Sequence, residues 1–565
     1  MSNIPYARQF IHSCYVKNPS IDSDAVVIKE YIYPTEETVT PEPNIRILQD
    51  PKRKFAVTKP VYRTYDHKKE WEDLAAVDWY TTYNKDMSKD IYRALHGKNP
   101  YGYVKYRQLT NSPYVYGSDI GIETLIKHNY TENLSRVGYK PVPPTVGMLD
   151  IETSVLSDGE EIIMITVTHE KHVYTAILSS FFQTIDRSGQ SVSCSITELE
   201  HMSQSVLKEC IDTYGFTFTY HVAETPQELI FWIWDRIHEN HTDFIGVWNI
   251  DFDIPKIMKA LEDEGIPPED ILSHPDVPKG YRHCYYRQDP TKDGHFSRKW
   301  HWLSTSGTAQ FYDAMCLYSI LRTHTDGLLP TYKLDAILKR HNFGGKLKFT
   351  SDIPDTDYMS NIDWHRYMQK NKPYEYIIYN QYDTISVQML EWETSDVVAM
   401  YLLIGDSHLK DYTRQSRRSA DVLHFECIKL NKVCSTVGES MIGPHDDLIP
   451  KKDGGTVLRP ERTHDLGMKA LKDLPHITTM LHPFTGDLDF SQMYPTVIIS
   501  GNMSQETKKS TLIDIEGFRM EHVQTISSML ISPYENAVSI GSTYFGLPSY
   551  TDLLDAYKTE RHGSS

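Results

Sequence analysis

The stretch "TVGMLDIET" at residues 145–153 ends an apolar run with two acids, Asp150 and Glu152. The run is typical of a β-strand, and side chains two positions apart on a strand point to the same face of the sheet. Both carboxylates can therefore converge on one cation. A single Asp-x-Glu is common in protein sequences, so this pair indicates a site only if further acids join it.

Two later segments supply such acids. "WNIDFDIPKI" follows the apolar run "DFIGVW" and puts Asn249 and Asp253 at the end of a predicted strand, where an open α/β sheet usually carries its site. "YNQYD" has Tyr379 and Asp383 four positions apart, on one face of a predicted helix. Each segment alone is as typical of a capped turn or a solvated helix face as it is of a functional site. Their order and context together indicate a site.

The acids of the three segments are Asp150, Glu152, Asp253 and Asp383. Four carboxylates are what two hard divalent cations, Mg²⁺ or Mn²⁺, need to flank a scissile phosphate at about 3.5–4 Å from each other. One cation would activate a water and the other would stabilise the leaving 3′ oxygen. Tyr379, one turn from Asp383, is expected to orient the attacking water.

The composition is that of a globular protein, with 565 residues, 40% of them hydrophobic, and a net charge of −18. The length predicts roughly three or four domains. The seven cysteines form no Cys-x-x-Cys pair, which suits a reducing cytosol better than a zinc site. No run of about 18 apolar residues exists, so we expect no membrane span. The acidic balance disfavours whole-surface binding to nucleic acid but leaves room for a local basic groove.

Local patterns predict several elements around the acids. "EIIMITVTHEKHVYTAIL" is typical of a hairpin that turns at Glu170–Lys171. "ETPQELIFWIWDRIHEN" predicts a helix with Thr225 as N-cap, Pro226 in its first turn and Glu228 completing a capping box. "PTYKLDAILKRH" and "PYEYIIYNQYDTISVQMLEWE" predict two further helices. The proline-rich "YKPVPPTVG" marks a domain boundary.

In order and context, the three acidic segments resemble the three exonuclease motifs of family B DNA polymerases, whose proofreading domain has an RNase H-like fold. "LLPTYKLDAILKRHNFGGKLKF" and "QFYDAMCLYSIL" resemble the region between the second and third motifs in polymerases of T-even bacteriophages. "PYVYGSDIGIETLIKHNY" resembles the end of their N-terminal domain, and "GGTVLRP" the turn before their palm. "DFSQMYPTVIIS" resembles motif A of the palm. The chain is identified as the N-terminal part of a T-even-like phage family B polymerase.

This resemblance implies an α/β and α+β multidomain chain. Residues 1–144 would form the N-terminal domain, completed by about 396–450. Residues 145–395 would form the RNase H-like 3′→5′ exonuclease domain. Residues 451–565 would form an incomplete palm that carries motif A and ends before the fingers.

The resemblance also implies roles for three residues of motif A. Asp489 would bind the polymerase metals, Tyr494 would lie under the sugar of the incoming nucleotide, and Met493 would contact that nucleotide. Gln492 and Met493 stand where Ser and Leu are usual. The second exonuclease motif also departs from the T-even form: its Asn-x-x-Phe-Asp is one residue shorter, a spacing that protein-primed members of the family have, and Asp253 remains the expected ligand.

Fingers, motif C and thumb have no counterpart in the sequence. We therefore expect no DNA synthesis by this chain alone. A separate C-terminal polypeptide would complete the palm, bind dNTP together with this chain and contact the sliding clamp. A natural gene split is favoured over a fragment, because the ending coincides with a flexible domain junction.

The implied partners are primer-template DNA and single-stranded 3′ ends, in the phage replisome of the host cytoplasm, with no membrane. One alternative is a nucleic-acid-binding module, because the N-terminal domain of T-even polymerases can bind RNA, including their own message. The basic, aromatic "KRKFAVTKPVYR" at 52–63 would serve this role. An inert scaffold subunit is the other alternative, disfavoured because all four exonuclease acids are present.

Overall fold

A computed structural model describes most of residues 6–435 and two strands nearer the C-terminus. By contacts the chain divides into two compact units, Met1–Lys452 and Asp453–Ser565. All seven cysteines lie in the described part and are free thiols. None of the helices in this part is long and apolar enough to cross a membrane. The description has internal gaps at 19–21, 37–39, 66–67, 70, 157–160, 186–190, 290–294, 348, 350–359, 436–508 and 516–517.

The described residues up to 140 form two small antiparallel sheets and three α-helices. The elements are β1 (Ala7–Asn18), β2 (Ser23–Tyr33), β3 (Glu42–Gln49), β4 (Lys52–Thr58), β5 (Trp71–Asp73), β6 (Val77–Tyr83), α1 (Met87–His96), α2 (Tyr106–Thr110), β7 (Val115–Tyr116) and α3 (Ile122–Val137). One sheet has the order β1-β2-β3 and another the order β6-β4-β7. Ile122, Ile126 and Tyr130 recur every four residues along α3 and pack with Phe10 and Ile28 of the first sheet.

The next 250 residues build one large mixed sheet with helices packed on it. The elements are β8 (Val146–Thr153), β9 (Ile162–His169), β10 (His172–Leu178), β11 (Gln183–Ile185), β12 (Ser191–Ser193), α4 (Ile196–Val206), α5 (Lys208–Tyr214), β13 (Thr217–Ala223), α6 (Pro226–Glu239), β14 (Phe244–Val247), α7 (Ile250–Glu262), α8 (Pro268–Leu272), β15 (Cys284–Arg287), β16 (Trp302–Thr305), β17 (Gln310–Asp313), α9 (Ala314–Asp326), α10 (Leu334–Arg340), α11 (Asn361–Asn371) and α12 (Pro373–Thr394).

The sheet has the order β13-β10-β9-β8-β14-β17-β16-β15. The three central strands β8, β14 and β17 run parallel, and β9 is antiparallel to β8. Helix α6 packs on β9 and β10, and α12 packs on β8 and β9. Strand β9 is buried along nearly its whole length, as a strand covered on both faces must be. The sheet and its helices therefore confirm a mixed α/β architecture.

Most of the predicted elements around the acids are confirmed. The hairpin β9–β10 pairs His169 with His172, so it turns at Glu170–Lys171. At the start of α6, the Thr225 hydroxyl accepts from the Glu228 N–H at 3.2 Å. The Glu228 carboxylate accepts from the N–H of Glu224 at 2.8 Å, whereas a capping box predicts the N–H of Thr225.

One predicted helix begins later than its pattern suggests. "PTYKLDAILKRH" is helical only from Leu334, because Lys333 is extended, with ψ 136°. Tyr332 is buried, and its hydroxyl accepts from the Leu329 N–H at 3.2 Å, which holds the preceding residues in a loop.

After the large sheet the chain returns to the N-terminal region. It forms α13 (Asp396–Leu403), α14 (Gln415–Lys429) and β18 (Lys432–Cys434). Strand β18 pairs antiparallel with β5, with Cys434 opposite Trp71. The predicted completion of the N-terminal domain by residues 396–450 requires such a pairing, although the domain bounds themselves stay a prediction.

In the second compact unit, the described elements are β19 (Lys509–Ile515) and β20 (Phe518–Thr525), an antiparallel hairpin. Asp489, Met493 and Tyr494 of the predicted motif A lie outside the described residues. Their roles stay predictions.

Candidate functional site

Strand β8 presents both of its acids on one face. Asp150 pairs across from Thr166 and Glu152 across from Met164, two steps along the same ladder. The two acids are half-buried, whereas Ile151 between them is buried. The strand predicted from the sequence therefore orients the two carboxylates as expected.

Helix α12 crosses β8 and contacts both of these acids directly. The Asn380 side-chain amide donates to Asp150 Oδ2 at 2.7 Å, and the Tyr376 hydroxyl donates to Glu152 Oε2 at 2.6 Å. Tyr376 and Asn380 are four positions apart and so share a face of the helix. Asp383, 4% exposed, follows Asn380 by three positions. The first and third acidic segments thus meet.

The second segment joins them through the sheet. Strand β14 pairs parallel with β8, and α7 starts directly after it with Asp253 in its first turn. Asp253 is 2% exposed, and its Oδ2 has no hydrogen-bond partner among the described residues. Asp251, two positions earlier, points elsewhere and accepts from the Tyr286 hydroxyl at 2.9 Å. The fold therefore distinguishes two acids that the sequence presents almost equally.

The carboxylates influence one another electrostatically. Burial raises the pKa of Asp253 well above its ordinary range, and the charges of Asp150 and Glu152 raise it further. Burial likewise raises the pKa of Asp150, with Asp383 and Glu152 adding to the effect. Burial also raises the pKa of Glu152, to about 7, although the Tyr376 hydrogen bond acts in the opposite direction. The acids of all three segments share one environment that disfavours several negative charges at once.

Lys346 supplies a positive charge to this environment, and sequence reasoning missed it. Its Nζ donates to Asp383 Oδ2 at 2.5 Å and to the Tyr379 hydroxyl at 3.0 Å. Burial alone would lower the pKa of Lys346, but the Asp383 charge outweighs burial and raises it. A lysine after the Gly344–Gly345 pair is a weak signal in a sequence, because only the fold brings it to Asp383.

Tyr376 is itself held by two side chains of α11. His365 Nδ1 lies 2.8 Å and Gln369 Nε2 3.2 Å from the Tyr376 hydroxyl oxygen. The one proton of that hydroxyl is donated to Glu152, so both neighbours must donate to its oxygen. His365 therefore carries its proton on Nδ1. Burial lowers the pKa of His365 to about 4 and keeps the ring neutral.

Two observations bear on whether the site suits a metal ion. Within the described ranges, no group of three or more His, Cys, Asp or Glu side chains is arranged as a metal site. However, Asp253 Oδ2 and Asp383 Oδ1 are buried without a hydrogen-bond partner there, and buried polar atoms normally have one. Carboxylate oxygens are the donors that Mg²⁺ and Mn²⁺ prefer. The residues therefore fit a hard divalent cation, because their donors are carboxylate oxygens and two of these have no other partner among the described residues. The metal ligation itself stays a prediction.

Comparison with known proteins adds no relative. No protein-family model matches the chain, and a search of curated proteins finds no similar sequence.

Proposed function

We propose that the large-sheet region is an RNase H-like 3′→5′ exonuclease that removes nucleotides from single-stranded DNA ends. One observation carries the proposal: three acidic segments, far apart in sequence, come together beside β8 and β14, and two of their buried carboxylate oxygens have no hydrogen-bond partner among the described residues. The parallel strands β8, β14 and β17 flanked by the β9–β10 hairpin are compatible with an RNase H-like sheet.

The reaction is hydrolysis of the terminal phosphodiester. Asp150, Glu152, Asp253 and Asp383 would hold divalent cations, which when bound lower the pKa of a water and offset charge on the leaving 3′ oxygen. Water adds to phosphorus, the P–O3′ bond breaks, and the 3′ oxygen takes up a proton. A nucleoside 5′-monophosphate leaves and the strand is one nucleotide shorter.

The side chains around the acids have roles that follow from their hydrogen bonds. The Tyr379 hydroxyl accepts from Lys346 and also hydrogen-bonds the Asp383 carboxyl, so it is fixed beside the acids, as the predicted role of orienting a water requires. Asn380 holds one oxygen of Asp150, and Tyr376 holds one oxygen of Glu152. These bonds limit the orientations of both carboxylates.

The test uses the full-length chain with a 5′-labelled single strand and Mg²⁺ or Mn²⁺. We expect Asp150→Asn or Asp253→Asn to reduce nucleotide release by at least about a thousandfold, because members of one catalytic unit act together. Asp251→Asn is the matched control, since Asp251 is a nearby acid bonded to Tyr286 outside the cluster. Equal degradation by Asp253→Asn and the unmodified chain would refute the assignment.

The polymerase role is also a proposal and rests on the resemblance. Asp489, with Met493 and Tyr494 at the nucleotide, would contribute motif A to a template-directed site that a separate C-terminal chain completes. That chain would carry fingers, motif C and thumb, and through it the sliding clamp and dNTP would bind. Mixing this chain with such a polypeptide should restore primer extension, and Asp489→Asn should remove it.

A nucleic-acid-binding function of the N-terminal region has one specific observation in its favour. In the β4–β6 pairing, Lys52 lies opposite Tyr83 and Lys54 opposite Thr81, so these side chains share a face. Lys52 Nζ is 5.1 Å from the centre of the Tyr83 ring, and Tyr83 and Trp79 are exposed. Cations interleaved with exposed rings are typical of surfaces that bind single-stranded RNA or DNA. A gel-shift titration of the full chain with RNA at two salt concentrations tests this candidate, and absence of salt-sensitive binding removes it.

A further inference from the structure

A pocket lies between the β1-β2-β3 sheet and α3, and its residues are far in sequence from the acids of the candidate site. Its volume is about 490 Å³. This lies within the range of about 300–1,000 Å³ that small-molecule sites occupy. The pocket is therefore large enough for a ligand rather than for a few waters.

The floor of the pocket is apolar and partly aromatic. Ile28 lies opposite Arg46 in the β2–β3 ladder, and Leu48 follows Arg46 by two positions on the same face. From the other side, Ile126 and Tyr130 of α3 contribute one apolar face of that helix. A flat ring could lie on this floor, since aromatic and aliphatic surfaces stack well against heterocycles.

The wall of the pocket carries three guanidinium groups, those of Arg8, Arg46 and Arg136. Buried Glu30 forms an ion pair with Arg8 and accepts from the Tyr130 hydroxyl. Arg46 donates to the same hydroxyl at 3.2 Å. Neither Arg46 nor Arg136 forms an ion pair within the part of the chain that the structure describes. Among the described residues, three arginines line the pocket and one carboxylate, that of Glu30, pairs with one of them, so this lining is positive in a chain whose net charge is −18.

Two amide side chains complete the lining. Asn129 and Asn133 are four positions apart on α3, and Arg136 follows three positions later, so all three share a helix face. Each amide offers both a donor and an acceptor. The pocket thus combines an apolar floor, two amides and two arginines, Arg46 and Arg136, that form no ion pair with a described residue.

We propose that this pocket binds a nucleotide unit, with its base on the floor at Leu48 and Tyr130 and its phosphate on Arg46 and Arg136. A guanidinium binds phosphate through two parallel hydrogen bonds, which suits two arginines without ion pairs. The amides of Asn129 and Asn133 can bond the edge of a base. The proposal is independent of the exonuclease, because none of these residues lies among the acids.

The nucleotide could be free or part of a single strand, and the experiment distinguishes these sources. Full-length chain carrying Asp150→Asn is titrated calorimetrically in EDTA, so that neither hydrolysis nor a metal contributes. The probes are AMP, a 5′-phosphorylated tetranucleotide, adenosine and inorganic phosphate. We expect saturable binding of AMP or of the tetranucleotide, at least about tenfold tighter than adenosine or phosphate alone, because ring and phosphate each contribute.

Arg46→Gln/Arg136→Gln should weaken this binding by about tenfold or more. Arg107→Gln, at an exposed position of α2 in the same region, should leave it unchanged. Hydrogen exchange on the same chain supplies a second measurement, with slower exchange expected in α3 when the nucleotide is added.

Tighter binding of the tetranucleotide identifies a strand as the source, and equal affinities identify a free nucleotide. Phosphate binding as tightly as AMP, no saturable binding, or no effect of the double variant would overturn the proposal.

Discussion

The hydroxyl of Tyr376 has a single proton, and the surrounding side chains determine where it goes. His365 and Gln369 can only donate to this hydroxyl in the arrangement observed, so its proton is committed to Glu152. The carboxylate therefore has one oxygen held and one available. At this scale the chemistry depends on tautomers and donors, which no residue pattern encodes.

Replacing Tyr376 tests this arrangement. Tyr376→Phe removes the donor to Glu152 and leaves His365 and Gln369 facing a ring edge. We expect the turnover of the proposed exonuclease to fall by about 10–100-fold, with a smaller change in KM, because Glu152 is a proposed metal ligand and loss of a residue that holds a ligand has an effect of this size. Single-turnover hydrolysis of a labelled strand measures it.

Tyr374→Phe is the matched control, because it makes the same chemical change on α12 where the hydroxyl donates to surface Glu198 at 2.9 Å. An equal loss in both variants would mean that the effect comes from helix stability and not from Glu152.

At the scale of elements, a glycine turn after α10 places Lys346 in the site. Gly345 has φ +98°, a conformation that residues with a Cβ rarely adopt. The backbone N–H of Lys346 then donates to Asp335 Oδ1 at 3.0 Å, which ties the turn to the helix before it. The lysine reaches Asp383 because the turn directs the chain there.

Gly345→Ala should disturb this turn in two ways, through backbone strain and through a clash between the added Cβ and Asp335. A Cβ at this position would lie 2.6 Å from Asp335 Oδ1, so either the turn or the Asp335 carboxylate that holds the Lys346 N–H must shift. Gly97→Ala serves as control: Gly97 has φ +69° but no described atom within 4 Å of an added Cβ. Both changes cost about 1–2 kcal/mol of stability through the left-handed backbone. We expect only Gly345→Ala to lower the exonuclease rate, and equal rates in the two variants would contradict the role of the turn.

At the scale of the whole described region, buried charges join the N-terminal sheet to the large sheet. Lys29 of β2 and Asp243, next to β14, form an ion pair at 2.9 Å with almost no exposure of either side chain. Lys29 also donates to the carbonyl oxygen of Thr242 at 2.6 Å. The contact orients the two sheets through fully enclosed polar groups.

Breaking this pair on one side should be strongly destabilising. Lys29→Met leaves the Asp243 carboxylate buried without its cation, at an expected cost of about 3–5 kcal/mol. Urea unfolding measures the change. The double variant Lys29→Met/Asp243→Leu should recover part of it, because no unpaired charge remains. A double variant no more stable than Lys29→Met would show that packing, rather than charge, dominates.

A cluster of three charged side chains, buried Glu123 with His408 and Lys410, predicts a pH dependence. Burial alone would raise the pKa of Glu123 on α3, but the charges of His408 and Lys410 outweigh burial and lower it to about 2. Because the folded-state pKa lies below the ordinary value of 4.5, Glu123 stabilises the fold fully above pH 4.5. This contribution is lost as pH falls towards 2.

Glu123→Gln should therefore destabilise the chain more at pH 6 than at pH 3, because the protonated carboxyl resembles the amide. Urea unfolding of both forms across this range measures the difference. Glu132→Gln, at an exposed position of the same helix, should show almost no such trend. A Glu123→Gln effect that is constant with pH would contradict the assigned charge pairing.

The sequence by itself determined the local geometry of the candidate site. Alternation placed Asp150 and Glu152 on one face of β8, and helical spacing placed Tyr379 and Asp383 on one face of α12, because both periodicities are properties of the backbone. Turn and cap chemistry likewise located the β9–β10 hairpin and the start of α6.

The tertiary structure alone decided which side chains meet. Asn380 and Lys346 are absent from the sequence prediction, because an amide or a lysine carries no signal until packing puts it beside a carboxylate. The buried carboxylate oxygens that have no partner among the described residues, and the arginine pocket beside α3, have the same origin. Contacts between residues far apart in sequence, and the burial that sets their pKa values, exist only when sheets and helices pack together.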